Sequence, residues 1–294
     1  MTSSYAVVTP ARDEAANLPR LASCLAAQTC PPTTWVIVEN GSSDGTLELA
    51  RDLAAAHPWV QVISLPGTSS ADRGAPVVRA LNAGIAALTE PPEVFVNVDA
   101  DISMEPDYFE RLLAKFLADP SLGIASGSAY ELRRGTWEQR YVTGSTVWGA
   151  SRAYRWECLH DVLPFEERVA WDGVDEFKAN ARGWRTVAFE ELPFRHHRRE
   201  GERDGTPWRA RRNQGQAAYY LGYRPWYLVL RALWHARREA AALGLIFGYA
   251  QAAWRQEPTN SDARARAYLR GQQSIRNLPQ RLLEATGKRR RPVV

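Results

Sequence analysis

A chain of 294 residues with 45% hydrophobic content can bury a full core, enough for one large domain with additional elements. Met1–Ser4 runs straight into Y-A-V-V-T, so no secretory leader is expected. The longest apolar run, Ala240–Ala253, is broken by Gly244, Gly248 and Gln251 and falls short of the roughly 20 residues of a membrane span. The net charge of +4 hides a split: residues 1–194 hold 16 Lys+Arg against 26 Asp+Glu, and residues 195–294 hold 21 against 7. That asymmetry predicts two regions, 1–194 and 195–294, the second suited to anionic partners. Cys24, Cys30 and Cys158 are odd in number and lack metal-ligand spacing, which predicts reduced thiols in a cytoplasmic protein.

In chain order, Tyr5–Thr9 is a short apolar strand, and Glu14–Gln28 carries Leu18, Leu21 and Leu25 at helical spacing. Trp35–Glu39 is a second strand, followed by G-S-S-D-G-T and a helix over Leu47–Ala56. Val60–Leu65 is a third strand, Ala75–Leu88 a helix, and Val94–Val98 a fourth, very apolar strand. Strands this apolar, separated by amphipathic helices, predict an α/β fold with a mostly parallel sheet covered on both faces. Ligands of such sheets bind beyond the carboxyl ends of the strands, where Glu39 and Asp99 fall.

The loop after the first strand, T-P-A-R-D-E, contains no glycine, and no Walker-type phosphate loop occurs, so a backbone phosphate cradle is excluded. The fourth strand instead ends in V-D-A-D, with Asp99 and Asp101 one residue apart. Positions i and i+2 of an extended chain share a side, so the two acids repel unless a cation or solvent sits against them. Oxygen ligands of this kind suit Mg²⁺ or Mn²⁺ shared with substrate phosphates. A solvated turn is the alternative for this tripeptide alone.

Four segments in order, T-P-A-R-D-E-A-A-N-L, V-I-V-E-N-G-S-S-D-G-T, R-G-A-P-V-V-R-A-L-N-A-G-I and V-N-V-D-A-D, resemble the signatures of family 2 glycosyltransferases over roughly residues 5–105, with a weaker match to about residue 190. The resemblance implies the GT-A fold and an inverting, metal-dependent transfer of a hexose from a nucleotide-diphosphate sugar, a UDP-sugar being favoured. By residue-level match Pro10, Arg12 and Glu14 border the nucleotide, and Glu39 accepts hydrogen bonds from base or ribose. Glu39-Asn40 stands where the family usually has two acids. Asp44 braces its loop and caps the next helix, or touches ligand. Arg73 and Gly74 approach the nucleotide, Arg by its forked donors and Gly by permitting close backbone approach. Asp101 is implied as the metal ligand, and Asp99 as a contact to ribose or a metal-bound water.

The implied catalytic base is an Asp near the start of a helix ending in Gly and an aromatic, matched by V-A-W-D-G-V-D-E-F-K-A-N-A-R-G-W, residues 169–184. Asp172 holds that place, with Trp171 in place of the usual acid; Asp175 is a rival, and Phe177 and Ala181 fit the buried helix face. In P-F-R-H-H-R-R, His196 or His197 is implied near the metal, His196 being preferred, with Arg195, Arg198 and Arg199 near phosphate. Trp137 and Trp148 either stack on sugar faces or pack in the core.

Residues 207–257 carry aromatics and arginines at helical periods, with Pro225 breaking or starting a helix. Their apolar faces either pack on the catalytic domain or a twin subunit, giving a homodimer, or dock on anionic membrane, with K-R-R-R at 288–291 adding attraction. The acceptor is a hydroxyl, lipid-linked under the second reading, and the location is then the inner face of the cell membrane. A sugar nucleotidyltransferase and a nucleic-acid-binding module are rival readings. The first lacks its Gly-rich loop and the second leaves the front-half acids unexplained, so no nucleic-acid partner is expected.

Overall fold

The computed structural model describes residues 4–67, 74–140, 146–168, 171–198 and 206–285. The chain divides into two compact units, 1–198 and 199–294. Residues 195–198 thus join the first unit, four residues past the expected division. The cause is the last strand, which stays paired through His196.

The first unit alternates strands and helices. In chain order these are β1 (Tyr5–Ala11), α1 (Leu18–Ala26), β2 (Thr34–Asn40), α2 (Thr46–Ala56), β3 (Val60–Leu65), α3 (Gly74–Ala86) and β4 (Val94–Val98). There follow β5 (Ile102–Met104), α4 (Tyr108–Ala118), β6 (Leu122–Arg133), β7 (Thr136–Gln139), β8 (Ser151–Arg155), α5 (Trp156–Val162), α6 (Trp171–Ala181) and β9 (Arg185–His196). Among the described residues the strands form one sheet in the order β3-β2-β1-β4-β8-β6-β9-β5, with β7 hairpinned onto β6. β3, β2, β1 and β4 are parallel. β8 runs antiparallel to both β4 and β6, β9 parallel to β6, and β5 antiparallel to β9, so the second half of the sheet is mixed rather than parallel. The first half is the classical crossover pattern that αβ alternation dictates; the second depends on long-range pairing.

Alternation along each strand sends successive side chains to opposite faces. Val7, Trp35, Ile37 and Val96 face one core with Leu18, Leu21 and Leu25 of α1 and Phe109, Leu112 and Phe116 of α4. Val8, Val36, Val38 and Phe95 face the other, with Val78 and Leu81 of α3, Leu159 of α5 and Trp171 of α6. Helix α1 starts at Leu18 rather than Glu14, because Glu14–Asn17 form a turn whose Glu14 carbonyl accepts from Asn17 and Leu18. On α6 the buried side chains are Trp171, Val174, Asp175, Glu176, Lys178 and Ala179. The expected pair Phe177 and Ala181 are half-buried instead.

The second unit contains α7 (Pro207–Leu221), α8 (Pro225–Ala236), α9 (Gly244–Trp254), α10 (Ala263–Gln272) and α11 (Leu278–Ala285). Pro225 opens α8 at its first turn, where a missing N–H costs nothing. Thr206 caps α7 and Asp262 caps α10 through side-chain oxygens.

Candidate active site

Three parallel strands deliver their carboxyl ends to one edge of the sheet. Pro10 lies near the end of β1, where pairing with β4 has stopped at Val8, so its absent N–H breaks no bond on that side. Arg12 follows, exposed, and Glu14 is buried. The loops after β1 and β2 are laced together: Ser43 N–H donates to Asp13 (2.8 Å), Ala15 N–H to Asp44 (3.1 Å) and Glu14 N–H to Thr46 Oγ1 (2.8 Å). Asp44 also accepts from the Thr46 N–H at 3.1 Å, so it braces the loop and holds the first helical residue; Gly45 occupies the cap position itself. Gly41 has φ +69, and a Cβ there would lie 2.4 Å from Gly67 Cα, so only glycine fits this turn.

Glu39, buried at the end of β2, accepts from Ser42 N–H (2.5 Å) and Ser64 Oγ (3.0 Å). Asn40 is buried beside it. Gly74 is buried as the first residue of α3, and the Arg73 expectation lies outside the described residues, as do Arg199 and the K-R-R-R segment.

Past β4, Asp99, Asp101 and His196 each bring one ligand atom within 4.8 Å of the others. His196 arrives from β9, which pairs Ile102 with His196 and so sets that residue beside Asp101. Its Nε2 lies 3.2 Å from Asp101 Oδ1. Leu192 and Phe194 point inward on β9, and period-2 alternation carries His196 to their side. Arg195 is turned out toward Glu105 (3.8 Å) and the Trp137 ring (5.7 Å). His197 is also outside the cluster: its Nε2 is 2.8 Å from Ser103 Oγ, and its ring packs edge-on to Trp137. Arg198 returns to the site, forking onto both Glu14 carboxylate oxygens at 2.8 Å and approaching Asp101 at 3.5 Å.

The electrostatics follow from this packing. Burial and the neighbouring Asp101 push the Asp99 carboxyl up to about 6. Burial alone would raise Asp101 too, but the His196 hydrogen bond and the His196 and Arg198 charges hold it below the usual carboxylate range. For His196, burial works downward and is outweighed by the Asp101 hydrogen bond, leaving the imidazole above its ordinary value. His196 Nδ1 is buried and has no hydrogen-bond partner among the described residues. Two carboxylates and an imidazole this close, one acid already resisting ionisation, are a donor set that fits a divalent cation.

Asp172 lies in the first turn of α6, half-buried, with Gly173 N–H donating to Oδ1 at 3.0 Å. Its Oδ2 faces Gly149, where a Cβ would lie 3.5 Å away. Asn97 of β4 donates to the Gly149 carbonyl at 2.7 Å, which ties this corner to the strand that leads into Asp99. Asp175 is not in the crevice. It is 2% exposed, hydrogen-bonded to the Tyr154 hydroxyl, and 3.5 Å from Arg152. Arg152, wholly buried on β8, also binds Glu176 and donates to the Asp172 carbonyl at 3.0 Å. Burial pushes Asp175 up to about 7 and Glu176 up to about 8, Arg152 opposing. Sequence reasoning missed this network; the charge inside the apolar strand S-R-A-Y-R was its one visible signal. Trp148 packs in the core at 8% exposure.

A family model described as "Glycosyl transferase family 2" matches residues 6–168, more than half of the chain. The chain belongs to this family. Among curated relatives of this family 2 chain, polyprenol monophosphomannose synthase of Mycolicibacterium smegmatis is 29% identical over 194 residues, covering 65% of each protein. The succinoglycan biosynthesis protein ExoA of Rhizobium meliloti is 30% identical over 118 residues, 40% of this chain and 34% of that one. The chain thus spans less than two thirds of the length of the curated relatives it matches. Its fold is the GT-A fold. A mannosyltransferase, PcManGT, from Pyrobaculum calidifontis in complex with GDP-Man and Mn²⁺ superposes with a TM-score of 0.58 at 18% identity, covering 97% of this chain and 85% of that one. Glucosyl-3-phosphoglycerate synthase from Mycobacterium tuberculosis, with Mn²⁺, UDP and glucosyl-3-phosphoglycerate, gives 0.53 at 17%, covering 76% and 81%.

Proposed function

We propose that this family 2 protein is a metal-dependent, inverting glycosyltransferase that moves a hexose from a nucleotide-diphosphate sugar to an acceptor hydroxyl. The observation that carries the reading is the Asp99–Asp101–His196 cluster at the carboxyl edge of the parallel strands, with Glu14 and Arg198 against it. Asp101, Asp99 and His196 would hold Mn²⁺ or Mg²⁺, which when bound offsets the charge developing on the leaving nucleoside diphosphate. Glu39, Pro10, Arg12, Arg73 and Gly74 border the nucleoside, and Arg198 changes partner from Glu14 to a phosphate oxygen when donor enters.

Asp172 takes the proton from the acceptor hydroxyl. Its carboxylate is partly open, whereas Asp175 is enclosed and already committed to Tyr154 and Arg152. The acceptor oxygen then attacks the anomeric carbon from the face opposite the leaving group, which inverts the anomeric configuration. On this reading the acceptor is polyprenol-type or otherwise lipid-linked, in keeping with the name of the relative polyprenol monophosphomannose synthase, the enzyme acts in the cytoplasm at the inner face of the membrane, and the products belong to glycolipid, polysaccharide or glycoside synthesis. UDP-sugars are the donors favoured by sequence, and GDP-mannose enters through the structural neighbour.

The test is a thermal-shift screen of UDP- and GDP-sugars with and without Mn²⁺ or Mg²⁺. A rise in Tm that requires both donor and metal is expected. No stabilisation by any donor under either condition would overturn the reading.

A further inference from the structure

Helix α9, G-L-I-F-G-Y-A-Q-A-A-W, contains no charged residue, a composition suited to burial all round. Among the described residues it is covered on one side alone. Gly248 faces α7 so closely that a Cβ would lie 1.9 Å from the Arg212 carbonyl oxygen, and Leu245 and Ala252 are buried on the same side. At about 100° per residue, Phe247, Ala250 and Trp254 lie on the opposite side, and Leu243 continues their line by one turn. Phe247 is 51% and Trp254 85% exposed. Trp208, from the first turn of α7, adjoins Phe247 with ring centroids 6.2 Å apart, so it enlarges the same patch. Helix α8 repeats the pattern, with Leu228 and Ala232 inward and Val229, Leu230 and Leu233 exposed.

Charge decides what covers these faces. Residues 207–257 hold eight arginines, no lysine and two acids, Glu239 and Glu257. Arg209, Arg231, Arg237, Arg238 and Arg255 are exposed. A second copy would set these arginine-rich helices against themselves in a two-fold contact, and like charges across an interface are repelled. Nucleic acid would match the charge but would leave the aromatic and aliphatic side chains without an apolar partner. An anionic bilayer satisfies both, with rings and aliphatic chains at the headgroup–acyl boundary and arginines among the phosphates.

We propose that Trp208, Leu243, Phe247 and Trp254, with the exposed Arg209 and Arg255 next to them in the chain, form a docking surface for an anionic lipid bilayer. This surface stands on exposure and charge within the second unit and does not rest on the enzymatic reading. The experiment is co-sedimentation of the full-length chain with vesicles of phosphatidylcholine alone or mixed with phosphatidylglycerol, at low and high salt. Binding to the mixed vesicles, weakened by salt and weak on pure phosphatidylcholine, is expected. The double variant Phe247→Glu/Trp254→Glu, with unchanged circular dichroism and thermal unfolding, should bind about tenfold less or weaker still. No binding of the wild type at low salt, or equal binding by the folded variant, would overturn the proposal. A dimer seen by light scattering that the double variant dissociates would assign the face to a second copy instead, and overturn it too.

Discussion

Asp172 and Asp175 sit three residues apart in one helix, yet their surroundings separate them completely. Asp172 is partly open beside Gly149, while Asp175 is closed in by Tyr154 and Arg152. Replacing Asp172 by Asn keeps the shape and removes the proposed base, so kcat should fall by about 10²–10⁴-fold. Calorimetric titration should still detect donor and metal binding in that variant. The two histidines divide in the same manner. His196→Ala should weaken Mn²⁺ binding in the presence of nucleoside diphosphate by at least about tenfold, since even outer partners of a metal site cost that much. His197→Ala should leave it unchanged, because that ring faces Ser103 and Trp137. Wild-type affinity in the His196 variant would remove it from the ligand set. The acids of V-D-A-D were legible because i and i+2 alternation needs no tertiary information. The choice between His196 and His197 was not legible, because alternation along the segment does not say which of two adjacent residues points inward; the pairing of β9 with β5 sets His196 beside Asp101.

At the scale of elements, α6 is held to β8 by charge rather than by apolar packing alone. Arg152 is wholly buried between Asp175 and Glu176 and reaches the Asp172 carbonyl. Arg152→Met would leave two buried acids without their cation, and a loss of about 3–5 kcal/mol in urea unfolding is expected. The loop between α4 and β6 offers a pH-dependent contact. Asp119 accepts from Ser121 and pairs with Arg185 of β9, and these interactions hold its carboxyl below the usual carboxylate range. A depressed folded value means stability that is present above about pH 4 and lost as pH falls through the folded value. The stability difference between wild type and Asp119→Ala should therefore be full at neutral pH and vanish in strong acid, measured by denaturant unfolding across pH. Neither the Arg152 network nor the Asp119–Arg185 pair was legible in the sequence, because each joins residues twenty or more positions apart; the Asp119–Ser121 bonds are local. Helix and strand existence was legible, because it rests on local periodicity.

For the whole molecule, ligand linkage ties site to stability. A donor and metal that bind the folded chain alone should stabilise it by about 2.7 kcal/mol at a free ligand concentration a hundredfold above Kd, and chelation of the metal should remove that gain. The measurement is the Tm of the full-length chain with donor and Mn²⁺, before and after EDTA. The sequence by itself determined the alternating α/β class, the four parallel strands, the acids at their carboxyl ends and the basic character of the C-terminal region. All of these follow from short-range pattern and composition, which the chain carries wherever it folds. Tertiary structure alone decided the mixed second half of the sheet, which brings β9 beside β5 and His196 to Asp101. It also decided that Arg198 reaches back to Glu14 across 184 positions and that Asp175 is enclosed while Asp172 is not. Those outcomes depend on which distant strands pair and which side chains desolvate one another, and no local period encodes either.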